Sequence, residues 1–222
     1  MPDVVVELFG TTDAMRRHRD LVGTAQSAGI PVDEISAKSA AALSETVTPQ
    51  GLIAVCRSID VPLRTALDRA PRLVAALVEP NDPGNAGTIV RTADAAGAGS
   101  VVFAGDGVDP YNGKSIRAAA GSVFHVDLVA GHPPLDLIAS ARAAGYRVLA
   151  TSGGGVTSLA DLDLSSPTVW LFGNEAHGLP PNVLQAADDV ISVPIYGQAE
   201  SLNLSAAAAV CLYASARAHN GR

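Results

Sequence analysis

A chain of 222 residues, 48% of them hydrophobic, is long enough to bury a core in one large domain or two smaller ones. Its formal net charge of −7 argues against broad, nonspecific nucleic-acid binding, because phosphate contacts come mainly from Lys and Arg. Its longest nearly apolar stretch, 204–216, is shorter than a bilayer requires, and its first residues lack the pattern of a secretory signal. We therefore expect a cytoplasmic protein with no membrane partner.

Cysteine and histidine usage argues against a disulfide framework and against a metal site. The two cysteines, Cys56 and Cys211, are expected at buried apolar positions. The five histidines show no metal-ligand spacing, since His125 falls in a predicted strand and His132 in the loop after it. We expect no bound metal.

The first segment of the chain alternates between strand and helix patterns. Apolar runs and helical periodicity predict a small βαβαβ unit with elements over residues 4–9, 12–28, 30–35, 37–44 and 51–57. The first helix ends at Gly29 and carries a basic cluster formed by Arg16, Arg17 and Arg19. This cluster is either a solvated helix face or a surface that contacts RNA.

The pattern weakens over residues 59–71, where we predict a linker with a short helix. The alternation of apolar strand patterns and helical patterns restarts at residue 72. Strands are predicted over residues 73–78, 100–104, 123–128, 146–150, 168–172 and 190–193, and helices over 85–96, 114–120, 134–143, 181–187 and 202–217. Continuous apolar strands alternating with amphipathic helices predict an α/β fold with a mostly parallel sheet covered on both faces. Ligands bind such sheets beyond the carboxyl ends of the strands.

The first polar motif, residues 79–93, follows a predicted strand and leads into a helix. Asn85 is a natural N-cap for that helix, and capping alone would explain it. Arg91 lies between positions predicted to be buried, such as Ile89 and Val90. Arg91 is therefore either a solvated arginine or one that engages a carboxylate or a phosphate with its planar guanidinium.

The second polar motif follows the strand predicted over 168–172. Gly173 allows the backbone to approach a ligand closely. Glu175 pairs with Arg91, orients a substrate, or simply contacts the positive end of the helix predicted to begin near Pro181. His177 is either a general base or an incidental loop histidine.

The third polar motif contains Ser201 and Asn203 and leads into the alanine run 206–209. Alanine favours helix and allows another backbone to pack closely. Ser201 and Asn203 are either ordinary N-caps or members of a site that the other two motifs share.

Neither glycine fingerprint for nucleotide binding is complete. The run 153–155 would need a further glycine where Ser158 stands. The segment 113–115 ends like a P-loop, but Val108 occupies the position of its first glycine. These departures argue against a nicotinamide-dependent oxidoreductase and against a nucleotide triphosphatase.

Together the three motifs resemble the SpoU (TrmH-like) family of S-adenosylmethionine-dependent RNA ribose 2′-O-methyltransferases, within the SPOUT superfamily. The resemblance covers roughly residues 73–217 and rests on motifs in the family's order: Asn85 with Arg91, then 172–175 with 178–179, then 201–203. It implies a parallel sheet whose C-terminal part is threaded as a deep trefoil knot, a rare exception to unknotted topology. It also implies a homodimer paired through the knot domain.

The same resemblance assigns the cofactor site. In the family the cofactor lies bent in the knot and its adenine meets main-chain groups. Carried onto this sequence, the cofactor-binding residues are Thr151, Ser152, Gly173, Val193, Ile195, Leu202, Asn203 and Leu204.

The resemblance further implies a catalytic set. Arg91 is the residue expected to act on the ribose hydroxyl, with Asn85 and Glu175 orienting it, while Ser201 and Asn203 hold the cofactor and a substrate phosphate. The family proposal makes the arginine a base. Because a guanidinium stays protonated in ordinary surroundings, electrostatic stabilisation of the developing alkoxide is at least as plausible physically.

Residues 1–58 resemble the ribosomal-protein-like RNA-binding domain of many rRNA-modifying members, shortened by a strand and a helix before Val4. We thus predict a shortened RNA-binding domain over 1–58, a linker over 59–71 and a methyltransferase domain over 72–222. The expected RNA contacts are Arg16, Arg17, Arg19, Lys114 and Arg117. The expected substrate is rRNA. The alternatives are a tRNA ribose methyltransferase and a non-catalytic RNA-binding module of the same fold.

Overall fold

The chain builds two separate β-sheets, one of three strands and one of seven. They belong to two units that divide between Ile59 and Asp60. The computed structural model describes residues 2–44, 46 and 48–221. Among these residues no helix is long and apolar enough to cross a membrane.

The first unit is organised around a central strand. β1 (Val5–Gly10) pairs in parallel with β2 (Val32–Glu34) and antiparallel with β3 (Leu52–Cys56). The helices are α1 (Thr12–Arg17), α2 (Arg19–Ser27) and α3 (Ala37–Leu43). The helix predicted over 12–28 is thus two helices, because His18 has a non-helical backbone (φ −113°, ψ 38°). The small core is formed where α2 packs Val22 and Ala25 against Leu8 of β1.

The second unit is a parallel α/β unit with seven strands in the order β6-β5-β4-β9-β7-β10-β8. The strands are β4 (Leu73–Val78), β5 (Ser100–Ala104), β6 (Asp127–His132), β7 (Arg147–Thr151), β8 (Thr157–Ser158), β9 (Thr168–Phe172) and β10 (Asp189–Ser192). The helices are α4 (Leu63–Asp68), α5 (Pro83–Ala95), α6 (Gly113–Ala119), α7 (Pro134–Ala143), α8 (Pro181–Ala186) and α9 (Leu204–Asn220). Every residue of β4, β5 and β9 is buried, as continuous apolar strands predict. The predicted α/β fold with a mostly parallel sheet is confirmed.

The segment predicted as a linker, 59–71, belongs from Asp60 onward to the second unit. It contains α4, whose Leu63, Ala66 and Leu67 are buried in the core of that unit. The weak sequence pattern there reflects a short helix rather than an extended connection.

Two further details differ from the sequence predictions. The strand predicted over 123–128 is wrong, because Ala120 and Gly121 adopt left-handed backbone (φ 49° and 95°) and lead into a 3-10 turn, so that β6 begins at Asp127. Cys56 is exposed, not buried, because it ends the open edge strand β3, whereas Cys211 is buried as expected.

The strand order determines where a ligand would meet the second unit. β4, β9, β7 and β10 lie side by side and run parallel, so their carboxyl ends share one edge of the sheet. The segments that follow Val78, Thr151, Phe172 and Ser192 therefore converge there. All three polar motifs begin or end in these segments.

One buried hydrogen bond ties the last helix to the sheet. Trp170 of β9 donates its indole N–H to the Ser215 hydroxyl of α9 at 2.9 Å, and both side chains are fully buried. Ser215→Ala leaves the indole donor without a partner, so we expect the free energy of unfolding to fall by about 1–3 kcal/mol. Urea unfolding measures this free energy. Ser140→Ala, at an exposed position of α7, is the control and should change it by less than about 0.5 kcal/mol. Equal values for the two variants would contradict the assigned role.

Candidate functional site

The three polar motifs meet at the shared carboxyl edge, and Glu175 is the point where the first two join. The Glu175 carboxylate accepts hydrogen bonds from the backbone N–H of Asn81 (3.0 Å) and Asp82 (3.2 Å) and from Asn85 Nδ2 (3.2 Å). Desolvation opposes ionisation of this carboxyl, but these hydrogen bonds outweigh it, and the pKa of Glu175 is lowered. Glu175 is therefore an ionised acceptor that holds the loop before α5.

Asn85 connects that carboxylate to the third motif. Its Oδ1 accepts a hydrogen bond from Asn203 Nδ2 at 3.1 Å. Asn203 Oδ1 in turn accepts from Ser205 N (2.9 Å) and Ser205 Oγ (2.6 Å) at the start of α9. We call the series Glu175, Asn85, Asn203 the carboxylate–amide chain. Its polarity is fixed at both ends, since a carboxylate only accepts and a helix N-terminus only donates.

The carboxylate–amide chain forms because the Asn85 side chain is not used as a helix cap. The expectation that Asn85 caps its helix is wrong, because α5 begins at Pro83 and its N-cap is Asp82. Asp82 Oδ1 accepts from the Asn85 backbone N–H at 2.8 Å. An acidic residue followed by proline is a known helix-start signal, so the sequence contained the correct cap. Asn203, in contrast, is the N-cap of α9 and a member of the chain at once.

Asn174 belongs to the motif 172–175, but the sequence analysis assigned it no role of its own in the site. Its Nδ2 donates to the Glu79 carbonyl at 2.8 Å, and its Oδ1 accepts from the backbone N–H of Ala176 (2.8 Å) and His177 (3.3 Å). Glu79 itself has a left-handed backbone (φ 52°), which is unusual for a residue with a side chain. Asn174 thus fixes the loop that carries Glu175 against the end of β4.

Arg91 lies outside the carboxylate–amide chain. Its side chain is exposed, although Ile89 and Val90 beside it are buried. Arg91 and Glu175 form no salt bridge with each other. The predicted pairing of Glu175 with Arg91 is therefore not formed in the structure. Six residues separate Arg91 from Asn85, which is about 9 Å along the axis of α5. Arg91 is therefore an exposed residue of α5 that lies beyond the carboxylate–amide chain along the helix.

The residues assigned to cofactor binding lie at the ends of β7, β9 and β10 and at the start of α9. Thr151 Oγ1 donates to the Leu171 carbonyl (2.9 Å), and the Ser152 N–H to the Ile191 carbonyl (2.9 Å), which ties three strand ends together. The remaining assigned residues vary in exposure: Gly173 is buried, Val193 and Leu204 are half-buried, and Ile195, Ser201, Leu202 and Asn203 are exposed. The apolar side chains of Ile195 and Leu202 are 38% and 41% exposed.

The basic residues assigned to RNA occupy two places. Arg16, Arg17 and Arg19 are exposed on α1 and α2 of the first unit. Lys114 and Arg117 are exposed on α6 of the second unit, and Lys114 pairs with Asp82 at 2.8 Å.

The histidines and acids of the described residues form no metal-type cluster of three or more side chains. His125, which follows the 3-10 turn Ser122–Phe124 and is not in a strand, pairs with Asp94 at 2.8 Å. His177 is exposed in the loop after β9.

A parallel sheet with polar loops at one carboxyl edge defines an α/β protein that binds its ligand at that edge. Comparison with known families is more specific. The model of the SpoU rRNA Methylase family matches residues 72–213, and that of the RNA 2′-O ribose methyltransferase substrate-binding domain matches residues 2–62. The chain belongs to the SpoU methylase family. The predicted class of enzyme, an RNA ribose 2′-O-methyltransferase, is confirmed.

Individual relatives agree with this assignment. The chain is 36% identical over 212 residues to the 23S rRNA (guanosine(2553)-2′-O)-methyltransferase RlmP of Bacillus subtilis, covering 96% of this chain and 81% of that protein. The crystal structure of the AdoMet-bound rRNA methyltransferase from Sinorhizobium meliloti superposes with a TM-score of 0.85 at 32% identity, covering 97% and 80% of the two chains. The AdoMet complex of AviRb from Streptomyces viridochromogenes has a TM-score of 0.82 at 29% identity, covering 98% and 84%.

Proposed function

We propose that this protein transfers a methyl group from S-adenosylmethionine to a ribose 2′-hydroxyl of ribosomal RNA. The observation that carries the proposal is the carboxylate–amide chain. It joins Glu175, Asn85 and Asn203, one residue from each motif, at a single edge of the sheet. A protein that only needed its fold would have little use for such a connection among polar side chains that are exposed or half-buried.

The rRNA substrate is supported by the relatives. The Bacillus subtilis relative is named for guanosine 2553 of 23S rRNA, and a Streptomyces viridochromogenes relative, 38% identical over 143 residues, for uridine 2479. The first unit, which matches the substrate-binding domain, is the part of the chain suited to hold such an RNA. A ribosomal RNA substrate would place the enzyme in the cytoplasm.

The residues at the sheet edge fit the cofactor. S-adenosylmethionine supplies an electrophilic methyl group on a sulfonium, between an adenosine and an amino acid moiety. Exposed Ile195 and Leu202 offer apolar contact to an adenine, and the backbone groups beside Thr151, Gly173 and Val193 offer hydrogen bonds to its edge. Ser152 and Leu204 complete the wall of this proposed pocket.

The transfer requires positioning of the 2′-hydroxyl, loss of its proton and stabilisation of the oxygen as negative charge develops. The carboxylate–amide chain holds the Asn85 and Asn203 amides in one orientation. Ser201, exposed two residues before Asn203, contacts the substrate phosphate. Arg91 directs its charge toward the developing alkoxide, since an always-charged guanidinium stabilises it better than it removes a proton.

The deep trefoil knot is the proposed threading of the second unit. β10 lies between β7 and β8, although β7 and β8 both precede it in the chain, so the later strand occupies a gap within an earlier loop. The backbones pass very close there. A Cβ on Gly155 would stand 2.6 Å from the Ile191 carbonyl carbon of β10. Within the loop after β9, a Cβ on Gly173 would stand 2.4 Å from the carbonyl carbon of Gly178. Glycine is needed at both positions.

Homodimerisation through the knot domain is the proposed assembly. α9 leaves Val210 and Tyr213 44% and 53% exposed. They line a depression of about 780 Å³ together with Ala214, Ala216, Arg217 and Asn220. Exposed apolar side chains that cluster on one helix face are typical of protein interfaces.

RNA binding is assigned to both units. Arg16, Arg17 and Arg19 are exposed, and no ion pair with another of the described residues engages them, so we propose that they contact phosphates. The domain that carries them, residues 1–58, remains the proposed RNA-binding domain. Arg117 on α6 is a proposed phosphate contact of the second unit.

The test is methyl transfer from cofactor labelled in its methyl group to under-modified 23S rRNA, 16S rRNA and tRNA. We expect label in 23S rRNA, in a dinucleotide that resists alkaline cleavage, because a 2′-O-methyl group blocks the attack that cleaves the backbone. Label on tRNA alone would reassign the substrate. Label on a base would reject ribose methylation, and no label on any RNA would favour a non-catalytic RNA-binding module.

A further inference from the structure

Lys114, one of the assigned RNA contacts, is connected through Asp82 to the residues of the candidate site. It lies in the first turn of α6, whose N-cap is Asn112. Its Nζ is 2.8 Å from Asp82 Oδ2. The hydrogen bond from Lys114 is the largest cause that lowers the pKa of Asp82, so this carboxyl is ionised and engaged near neutral pH.

The polar atoms of Asp82 form hydrogen bonds with three partners. Oδ2 binds Lys114, while Oδ1 accepts from the Asn85 backbone N–H at 2.8 Å and so caps α5. The Asp82 backbone N–H donates to the Glu175 carboxylate at 3.2 Å. One residue thus holds the first turn of α5, one end of the carboxylate–amide chain and the ammonium from α6.

α5 and α6 also pack against each other along their length. The start of α5 is therefore held from two sides, by Glu175 on the loop after β9 and by Lys114 on α6. Because Asn85 and Arg91 both lie on α5, the orientation of this helix start affects both of them.

We propose that Lys114 is a positioning residue for methyl transfer, acting through Asp82 to fix the first turn of α5 and with it Asn85. The proposal rests on the proposed function. It assigns Lys114 a role different from that of a phosphate contact, because the ammonium already has a carboxylate partner within the protein. The two roles predict different kinetics.

A phosphate contact affects chiefly the binding of RNA. Its loss raises KM for RNA and lowers the salt dependence of binding by about one counterion. A positioning residue affects the geometry of the reacting groups, so its loss lowers kcat at saturating RNA and leaves KM and the salt slope unchanged.

The experiment compares Lys114→Met, Lys114→Arg and the control Arg64→Met. Arg64 forms an exposed ion pair with Asp68 on α4, so its replacement also removes one cation and one surface ion pair of the second unit. We expect Lys114→Met to lower kcat about 10-fold, the loss typical of a misplaced catalytic group, with KM for RNA within about twofold. Lys114→Arg should recover most of the loss, and Arg64→Met should leave both constants unchanged.

A double-mutant cycle tests whether Lys114 acts through Asp82. Asp82→Asn keeps a good N-cap for α5 but removes the charge that binds Lys114. In the Asp82→Asn background, Lys114→Met should lower kcat by less than about twofold, because the two changes remove the same interaction. Independent, multiplying effects, or a raised KM with a reduced salt slope, would show that Lys114 binds phosphate instead.

Hydrogen exchange gives a readout that does not depend on activity. A peptide that covers residues 81–91 should exchange faster in Lys114→Met than in wild type or Arg64→Met, since the first turn of α5 loses an anchor. Unchanged exchange contradicts the proposal. A wild-type protein without methyl transfer counts against the proposed function, whereas an active wild type with unchanged kcat in Lys114→Met counts against Lys114 alone.

Discussion

Arg91→Ala should lower methyl transfer about 10²- to 10³-fold while the affinity for S-adenosylmethionine stays within about twofold. Arg91 is exposed on α5 and is not part of the carboxylate–amide chain, so its removal leaves that chain and the strand ends of the cofactor site intact. We expect this loss because the role proposed for Arg91 is to stabilise the developing alkoxide with its positive charge. Transfer to 23S rRNA at saturating cofactor and calorimetric cofactor binding are the two measurements.

Two further variants are informative. One separates the effect of the Arg91 charge from that of its planar guanidinium, and the other compares Arg91 with an arginine outside the site. Arg91→Lys keeps the charge but loses the planar guanidinium, and we expect activity between those of wild type and Arg91→Ala. Arg64→Ala removes an arginine from an exposed helical ion pair and should leave activity unchanged. If Arg91→Ala lost cofactor binding while turnover at saturating cofactor survived, the role assigned to Arg91 would be wrong.

The central apolar strands of the second unit, β4, β5 and β9, were predictable because every residue in them is buried. The run 73–78 is buried at every position, and its strand bounds match the prediction. The 3-10 turn after Gly121 was not predictable in the same way, since valine and phenylalanine there fit a strand as well as a turn. Its conformation depends on the left-handed Ala120, and alanine gives no local signal for left-handed backbone.

The members of the site were predictable by residue type, but their connections were not. Asn85, Glu175 and Asn203 stood out because polar residues followed apolar strands. For the start of α5, the sequence offered two good capping residues about one turn apart, Asp82 and Asn85, and the structure uses Asp82. The pairing of Glu175 with backbone N–H groups of residues 81 and 82 joins loops more than 90 positions apart, which sequence spacing does not encode.

Glu175→Gln should lower kcat about 10- to 100-fold, because hydrogen bonds to a charged group each contribute about 1.5–3 kcal/mol. The carboxylate accepts from three donors, and a glutamine must turn its own NH₂ group toward at least one of them. The Asn85 amide then loses its fixed orientation, and Asn203 loses its partner. Steady-state kinetics on 23S rRNA measures the effect, with Glu79→Gln as a control for charge at the same edge of the sheet.

The pH dependence of the free energy of unfolding tests the Glu175 carboxylate independently of methyl transfer. The pKa of Glu175 is lowered in the folded protein, since hydrogen bonds to the ionised form outweigh desolvation. The stability that ionised Glu175 contributes is therefore fully present above the ordinary pKa of a glutamate and is lost as the pH falls through the lowered value. The difference in free energy of unfolding between wild type and Glu175→Gln should be constant above about pH 5 and should shrink below it. A difference that grows on acidification would mean that Glu175 is held protonated, and that the carboxylate–amide chain has the opposite polarity.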